Sequence, residues 1–528
     1  MLQNRFFLLF FLLITFSFSH TYSQTAVEKG LQTITTNSIQ GPLKFLSSDN
    51  LEGREPGTKG NYIAADYITS LFKTFELAPG AGNGSYHQSV DLIVTNNNSA
   101  KHSINIVSKN NEVSSATTFV NEIDFFAPPI FRSLSIKGNL IYCGYGLSED
   151  RFDELSSIKN RGVVLVRIKG YPTPADSLSK AFQYFSGKDK AGAFKNRAEK
   201  AKSLGVAAIL EYDPEDPFLK KIEAKRNNNI TKADGCEGKQ HTHYSGIYTK
   251  SFRLLSEQKD DTPVYSISRT VMKKVFPNYI DLIDSTVKNA SELKAQKPVT
   301  SNMRIVIEGI ADIKKIESDN ILAIIKGSEK PEEVIVVGAH YDHLGAYKGF
   351  IWNGADDNAS GAIGTIAIAR AFAATGVQPK RTVIFAVWTA EERGLLGSKY
   401  FLNSYPDARN ILYYHNYDMI GRSYNPSKPD SSVALLYTKS WGKAEELVRA
   451  AVKEYDLGLK VNYSAWDNPV SGSDNATFAK RGIPIMWFHT GGHPDYHKPS
   501  DHYDKIDWQK MKTIIKVSFI SLWELANE

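Results

Sequence analysis

Five short segments in the C-terminal part of the chain carry side chains that could do chemistry; four follow apolar runs and one, 354–361, follows a glycine-rich loop. Gly338-Ala339-His340-Tyr341-Asp342-His343 follows the run 334–337. Gly354-Ala355-Asp356-Asp357-Asn358-Ala359-Ser360-Gly361 opens a helix-patterned stretch. Glu391-Glu392 follows 382–388, His415-Asn416-Tyr417-Asp418 follows 411–414, and His489, His493 and His497 follow 483–488. Seven of the 12 histidines lie between His340 and His502. Carboxylates and imidazoles without nearby thiols form a ligand set suited to zinc. A lone histidine is more often a packing or loop residue, and a Glu pair at a helix start often just suits the helix dipole. What points to a site here is the set.

Other chemistries lack their signatures. There is no H-E-x-x-H zinc helix, no G-x-S-x-G nucleophile elbow and no G-x-x-x-x-G-K-[ST] phosphate loop. Gly144-Tyr145-Gly146 lacks the third glycine of a dinucleotide site. A net charge of +6, from 63 basic and 57 acidic residues, gives no nucleic-acid footprint.

The positioning elements alternate in type. Residues 321–325, 334–337, 382–388, 411–414 and 483–488 read as strands, several apolar at consecutive positions as strands covered on both faces are. Residues 361–373 and 443–455 read as helices. The alternation predicts an α/β fold with a mostly parallel central sheet and helices on both faces, where ligands collect beyond the carboxyl ends of the strands. Upstream, residues 60–75 form an amphipathic helix after the turn-rich loop 51–58, and 115–290 carry short β-rich runs such as 163–168, with a polar excursion over 227–240. The expected organisation is an N-terminal part at 24–114, an inserted module at 115–290 and a catalytic domain at 291–528.

The first 23 residues read as a secretory signal peptide. Arg5 precedes an apolar run over 6–18, and Thr21 and Ser23 stand at −3 and −1 of a cut before Gln24. The expected address is periplasmic or extracellular in a bacterium, with no membrane span in the mature chain. The only cysteines, Cys143 and Cys236, are free to pair or to stay reduced.

The motifs resemble the co-catalytic zinc aminopeptidases related to glutamate carboxypeptidase, the twenty-eighth metallopeptidase family. His340-x-Asp342, the 354–361 segment, Glu391-Glu392, Asp418-Met419-Ile420-Gly421 and Asp495-Tyr496-His497-Lys498-Pro499-Ser500-Asp501 carry the likeness. Leu51-Glu52-Gly53-Arg54 and Pro56-Gly57-Thr58 extend it. Tyr145-Gly146-Leu147 and 163–167 resemble the protease-associated domain often inserted in these enzymes. The resemblance implies a phosphorylase/hydrolase-like zinc exopeptidase fold and two Zn2+ per subunit. His340 and Asp418 would hold one ion, Glu392 and His497 the other, and Asp356 would bridge them. Asp342 would orient His340, Asp357 would help hold the bridging loop, and Glu391 would be the general base. Tyr496 would stabilise the oxyanion. The implied substrates are peptides with a free N-terminus; a carboxypeptidase, a dipeptidase or a non-catalytic receptor-like relative are the alternatives. His343, His489, His493 and His502 compete as ligands, and Cys236, His241 and His243 could form a separate small site.

Overall fold

The computed structural model describes residues 25–82, 84–108, 116–215, 249–257, 262–423 and 430–528. The leader and its cut, Cys236, His241, His243 and the 227–240 excursion lie outside them. Cys143 itself is fully buried.

The central sheet is built from β1 (His87–Asn96), β2 (Lys250–Leu254), β3 (Ile313–Ile325), β4 (Lys330–His340), β5 (Arg381–Trp388), β6 (Ile411–Tyr417), β7 (Ser432–Thr438), β8 (Lys460–Trp466) and β9 (Ile485–His489), in the order β2-β1-β3-β5-β4-β6-β9-β7-β8. The strand Ala78–Pro79 pairs with β3 off this path. Side chains alternate between two cores, as the two-residue period of a strand requires. On β4, Ile335, Val337 and Ala339 enter one core and Val334 and Val336 the other. The first core packs beneath helices α1 (Lys59–Thr74), α2 (Gly361–Ala374), α4 (Lys443–Glu454) and α5 (Trp508–Asn527); the second lies under α3 (Leu396–Ser404). Burying both faces accounts for the unbroken apolar runs.

The sheet is mixed rather than mostly parallel. The run β5-β4-β6-β9 is parallel, and β7 pairs parallel with β8. The other pairs, β2-β1, β1-β3, β3-β5 and β9-β7, are antiparallel. The sequence motifs sit on the parallel run, whose strands all point their carboxyl ends toward one edge.

A second sheet of eight strands has its own core. It includes Lys101–Ser108 and Val299–Ile310, so the boundaries expected at 114/115 and 290/291 fall inside or beside it, while β2 leaves the expected insert to join the central sheet. The module also holds helices Lys190–Ser203 and Tyr279–Ser291 beside its sheet, so it is mixed.

Within this module the segment Gly144-Tyr145-Gly146-Leu147 cradles a carboxyl group. Leu147 N donates to Glu154 Oε2 at 3.1 Å, and a side chain at Gly144, where φ is +60°, would collide with Glu154 Oε1. Glu154 is 1% exposed, and burial raises its pKa from 4.5 to about 8 against the backbone hydrogen bonds it receives. The folded state therefore keeps a proton that the unfolded chain releases, and stability falls as pH rises from 4.5 toward 8. Glu154→Gln should remove this decline: its Tm relative to wild type should climb between pH 5 and 8. A constant difference across that range would refute the assignment.

Candidate metal centre

The turns beyond β4, β5, β6 and β9 meet at one end of the sheet. His340 is the last residue of β4, Glu391 and Glu392 follow β5 by three and four residues, Asp418 follows β6 directly, and His497 lies in the loop after β9. Ala390, Met419 and His497 hold left-handed backbone at φ +55°, +61° and +53°. Such conformations are uncommon outside glycine and cluster at functional sites.

Asp357 stands at the middle of the cluster. Its Oδ1 is 3.6 Å from His340 Nε2 and its Oδ2 is 3.1 Å from His497 Nε2. His340 Nε2 also lies 3.6 Å from Asp418 Oδ1, and His497 Nε2 lies 3.3 Å from Glu392 Oε2. Two ligand atoms on a tetrahedral zinc, with bonds of about 2.0–2.1 Å, stand about 3.3 Å apart. These spacings fit two ligand pairs sharing one carboxylate. His340 Nε2 is buried and meets no hydrogen-bond partner among the described residues, the condition expected of a nitrogen kept for a metal.

Asp356 is not that shared carboxylate. Its Oδ1 accepts from Gly421 N at 2.7 Å and its Oδ2 lies 3.2 Å from His493 Nε2, on the far side of the loop. The expectation that Asp356 bridges and Asp357 supports is therefore reversed. The physical reason is the clamp on the loop. Asp501 Oδ2 accepts from both Asp356 N (3.0 Å) and Asp357 N (3.1 Å), and Asn358 Nδ2 donates to Tyr417 O at 2.9 Å. Asn358 Oδ1 accepts from Gly361 N and Met419 N. Fixing the backbone on both sides turns the two neighbouring carboxylates apart.

The remaining expected residues are accounted for by geometry. His340 Nδ1 sits 3.1 Å from the carbonyl of Asp342 and 3.7 Å from its Oδ1, and that same Oδ1 accepts from Glu391 N at 3.0 Å. Asp342 thus ties the histidine of β4 to the turn after β5. Glu391 Oε2 is 3.7 Å from His340 Nε2. Tyr496 stacks on His497 with ring centroids 3.9 Å apart and is 43% exposed. His489 turns its Nδ1 to the Asp418 carbonyl at 2.7 Å, and His502 lies 3.4 Å from Asn353 Nδ2. His343 reaches the cluster, with Nδ1 2.7 Å from Glu392 Oε1.

A cavity of about 260 Å3 opens onto Asp357, Glu391, Glu392, Asp418 and His497, with Met419, Gly472, Trp487 and Tyr496 among its walls. A larger cleft of about 700 Å3 lies against the second sheet, near Phe131 and Phe252; among the described residues its lining holds no imidazole or carboxylate.

Burial makes the electrostatics severe. It raises the proton affinity of Glu391 strongly, against the pull of His340 and with further push from Asp418. Burial also disfavours charge on Glu392 and Asp418, but His343 and His497 beside the first, and His340 beside the second, hold both below the usual carboxylate range. His497 is lifted to about 12, since hydrogen bonds to Asp357 and Glu392 overcome the desolvation of its imidazolium. Such perturbed groups in one cleft mark a functional site.

The sequence motifs name Arg54 without giving it a role. It is completely buried and donates to the carbonyls of Leu46, Tyr341 (2.5 Å), Asn353 (2.7 Å) and Gly354 (3.1 Å), the latter three flanking the His340 and Asp357 loops. Desolvation lowers its pKa to about 10, resisted by Asp342, Asp357, Asp501 and Glu392. Its signals were its place in the turn-rich 51–58 loop and in the Leu51-Glu52-Gly53-Arg54 likeness.

Residues 320–520 match the model of peptidase family M28. This stretch is a peptidase family M28 domain. The M28 domain holds every residue of the cluster. The chain is 31% identical over 311 residues to leucine aminopeptidase 2 of Trichophyton equinum, covering 55% of this chain and 59% of that protein. It is 32% identical over 188 residues to leupeptin-inactivating enzyme 1 of Streptomyces exfoliatus, covering 35% of this chain and 38% of the relative. The chain thus spans less than two thirds of the length of either. In fold it is similar to the aminopeptidase from Aneurinibacillus sp. strain AM-1, with a TM-score of 0.52 at 18% identity over 95% of this chain and 96% of the other.

Exchanging the roles of the adjacent aspartates has a direct test. Asp357→Ala should lose zinc from both positions, whereas Asp356→Asn, which keeps an acceptor for Gly421 N, should retain it. Elemental analysis of the two purified variants checks this; full zinc in Asp357→Ala would defeat the shared-ligand role.

Proposed function

We propose that the chain is an exported dinuclear zinc exopeptidase that removes N-terminal residues from peptides. The observation that carries this reading is the position of Asp357 between His340 and His497, at spacings suited to two ligand sets. His340, Asp418 and Asp357 would hold one zinc; Asp357, Glu392 and His497 the other. When bound, the two ions supply Lewis-acid polarisation of the scissile carbonyl and lower the pKa of water.

The protein's own groups do the rest. Glu391 faces the cavity with a strongly raised proton affinity, which suits it to take a proton from the attacking water and pass it to the leaving amine. Asp342 fixes both the Glu391 backbone and His340, so base and ligand keep one relative position. Burial, reinforced by Asp357 and Glu392, keeps the Tyr496 phenol protonated, ready to donate to the developing oxyanion. Met419, Gly472 and Trp487 give the cavity an apolar wall for the substrate's first side chain. The acids around the cavity are natural partners for a free α-ammonium group. We read the second sheet as a protease-associated-like module that supplies no ligand, and residues 1–23 as a leader removed on export.

Two measurements test this. N-terminal acetylation of a peptide substrate should abolish cleavage; release of residues from the C-terminus of the blocked peptide would establish a carboxypeptidase instead. Glu391→Gln should keep its zinc while kcat falls by about two to four orders of magnitude. Near-wild-type turnover in that variant would remove Glu391 as the base.

A further inference from the structure

Asp495 and Ser500 belong to the 495–501 segment, yet none of the roles above uses them. Both lead to a buried arginine. Arg422 follows Asp418 by four residues. Its Nη2 donates to Asp495 Oδ2 at 2.9 Å. The other oxygen, Oδ1, accepts from Ser500 Oγ at 2.6 Å and from Lys505 Nζ at 2.8 Å. Lys505 Nζ also donates to the Ser500 carbonyl at 2.7 Å. Partial burial disfavours charge on Asp495, but hydrogen bonds from Lys505, Ser500 and Arg422 hold its carboxyl well below the usual carboxylate range.

The two ends of the Arg422–Asp495 contact differ in how their backbones are held. The turn leading to Arg422 is fixed by the 354–361 loop. Met419 N donates to Asn358 Oδ1 at 3.1 Å, Ile420 N to Ser360 Oγ at 3.0 Å and Gly421 N to Asp356 Oδ1 at 2.7 Å. Just beyond it, Lys510 Nζ donates to Ser423 Oγ at 2.7 Å. The stretch carrying Tyr496 and His497 instead folds on itself: Tyr496 N donates to His493 O and Lys498 N to Asp495 O, both at 3.0 Å. Its His497 holds left-handed backbone, a conformation the surroundings must maintain. Trp352 Nε1 ties the His497 carbonyl at 3.1 Å. Asp495 adds a further tie, and that one runs to the fixed turn after Asp418.

We propose that Arg422 is a positioning residue that, through Asp495, locks the loop bearing Tyr496 and His497 to the turn bearing Asp418, so that the two ligand pairs keep one spacing. This rests on the dinuclear zinc reading. A guanidinium suits the task because it is planar, always charged and directional, whereas an ammonium is a mobile point charge. Losing such an outer partner typically costs about 10–100-fold in metal affinity or activity.

The test compares wild type with Arg422→Met, which keeps the stem without the charge, and Arg422→Lys, which keeps the charge without the fork. Asp495→Asn and the double variant with Arg422→Met complete the set. Zinc affinity is read by competition with a chromophoric chelator, kcat and KM on a chromogenic leucine anilide at saturating zinc, and Tm alongside. Arg422→Met should loosen the weaker-held zinc about 10–100-fold. At saturating zinc its kcat should still fall about 10–100-fold with KM within about threefold of wild type, the mark of a group displaced from the transition state. Arg422→Lys should fall between the two. Both Asp495 oxygens accept hydrogen bonds, so an amide serves only one side and Asp495→Asn should repeat the losses of Arg422→Met. The double variant should be no worse than either single one, since both act through one contact. A lower Tm in Arg422→Met with wild-type zinc affinity and kcat marks a merely structural pair and overturns the proposal, as do losses that multiply in the double variant. If Arg422→Met does not fold, wild-type zinc affinity and kcat in both Arg422→Lys and Asp495→Asn overturn it. Wild type that binds no zinc would overturn the dinuclear reading and this proposal with it, a result separable from all the others.

Discussion

The organising constraint is the burial of like charges. Asp342, Asp357, Glu391, Glu392, Asp418, Asp474 and Asp501 share one region of a packed interior, all with little or no exposure. Unit charges about 4 Å apart repel by about 4 kcal/mol even at an effective dielectric of 20. The strain is visible at two of them: burial, with neighbouring acids, raises Asp474 to about 7 and Asp501 to about 6, although Arg422 Nη1 stands 3.8 Å from Asp501 Oδ1. Arg54 is a fixed positive charge in this arrangement, fully buried and absent from the cavity lining. On the cavity side the acids are left facing imidazoles, which is where doubly charged ions would relieve them most.

The surrounding fold converts that electrostatic requirement into geometry. Parallel strands β4, β5, β6 and β9 deliver their ends to one edge, but strand ends alone set side chains only to within a loop's freedom. The loops are fixed by polar groups that do no chemistry themselves. Asp501 and Asn358 grip the 354–361 turn, Asp342 joins the turns after β4 and β5, and Arg54 ties the Tyr341 carbonyl of the first loop to those of Asn353 and Gly354 in the second. Arg393, next to Glu392, is itself anchored to Glu55 at 3.0 Å, and Glu55 also receives Lys250 from β2 at 2.7 Å. The acid pair is thereby braced from three separate parts of the chain.

How much of this the residues disclosed depended on the range of the cause. The strand exits bearing His340, Glu391, Glu392, Asp418 and His497 were legible because apolar runs announce buried strands and the acids follow at once. The choice between Asp356 and Asp357 was not legible. Adjacent residues share one local pattern, and what separates them is a clamp from Asp501, over 140 residues away. Arg54 was hidden for the same reason, since its partners lie some 290 residues downstream. The antiparallel flanks of the sheet escaped in part because β7 alternates in burial and β8 buries no residue, so both read as ordinary half-exposed strands. The module boundaries moved because periodicity marks a strand but not the sheet it joins.

That last point bears on how the two layers are joined. Two nearly continuous strand runs, β1 into Lys101–Ser108 and Val299–Ile310 into β3, pass from one sheet to the other side by side. Hydrogen bonds such as Asn96 N to Asp312 O at 2.9 Å span the crossing, and β2 returns from the second layer to pair with β1. The layers are laced together rather than hung on a flexible linker. Cutting the second layer out would leave unpaired edges on both sides, so it behaves as a component of the architecture and not as a detachable cassette. Gene fusions, truncations or swaps aimed at it would have to keep the 96–101 and 310–313 crossings intact to leave a foldable peptidase layer behind.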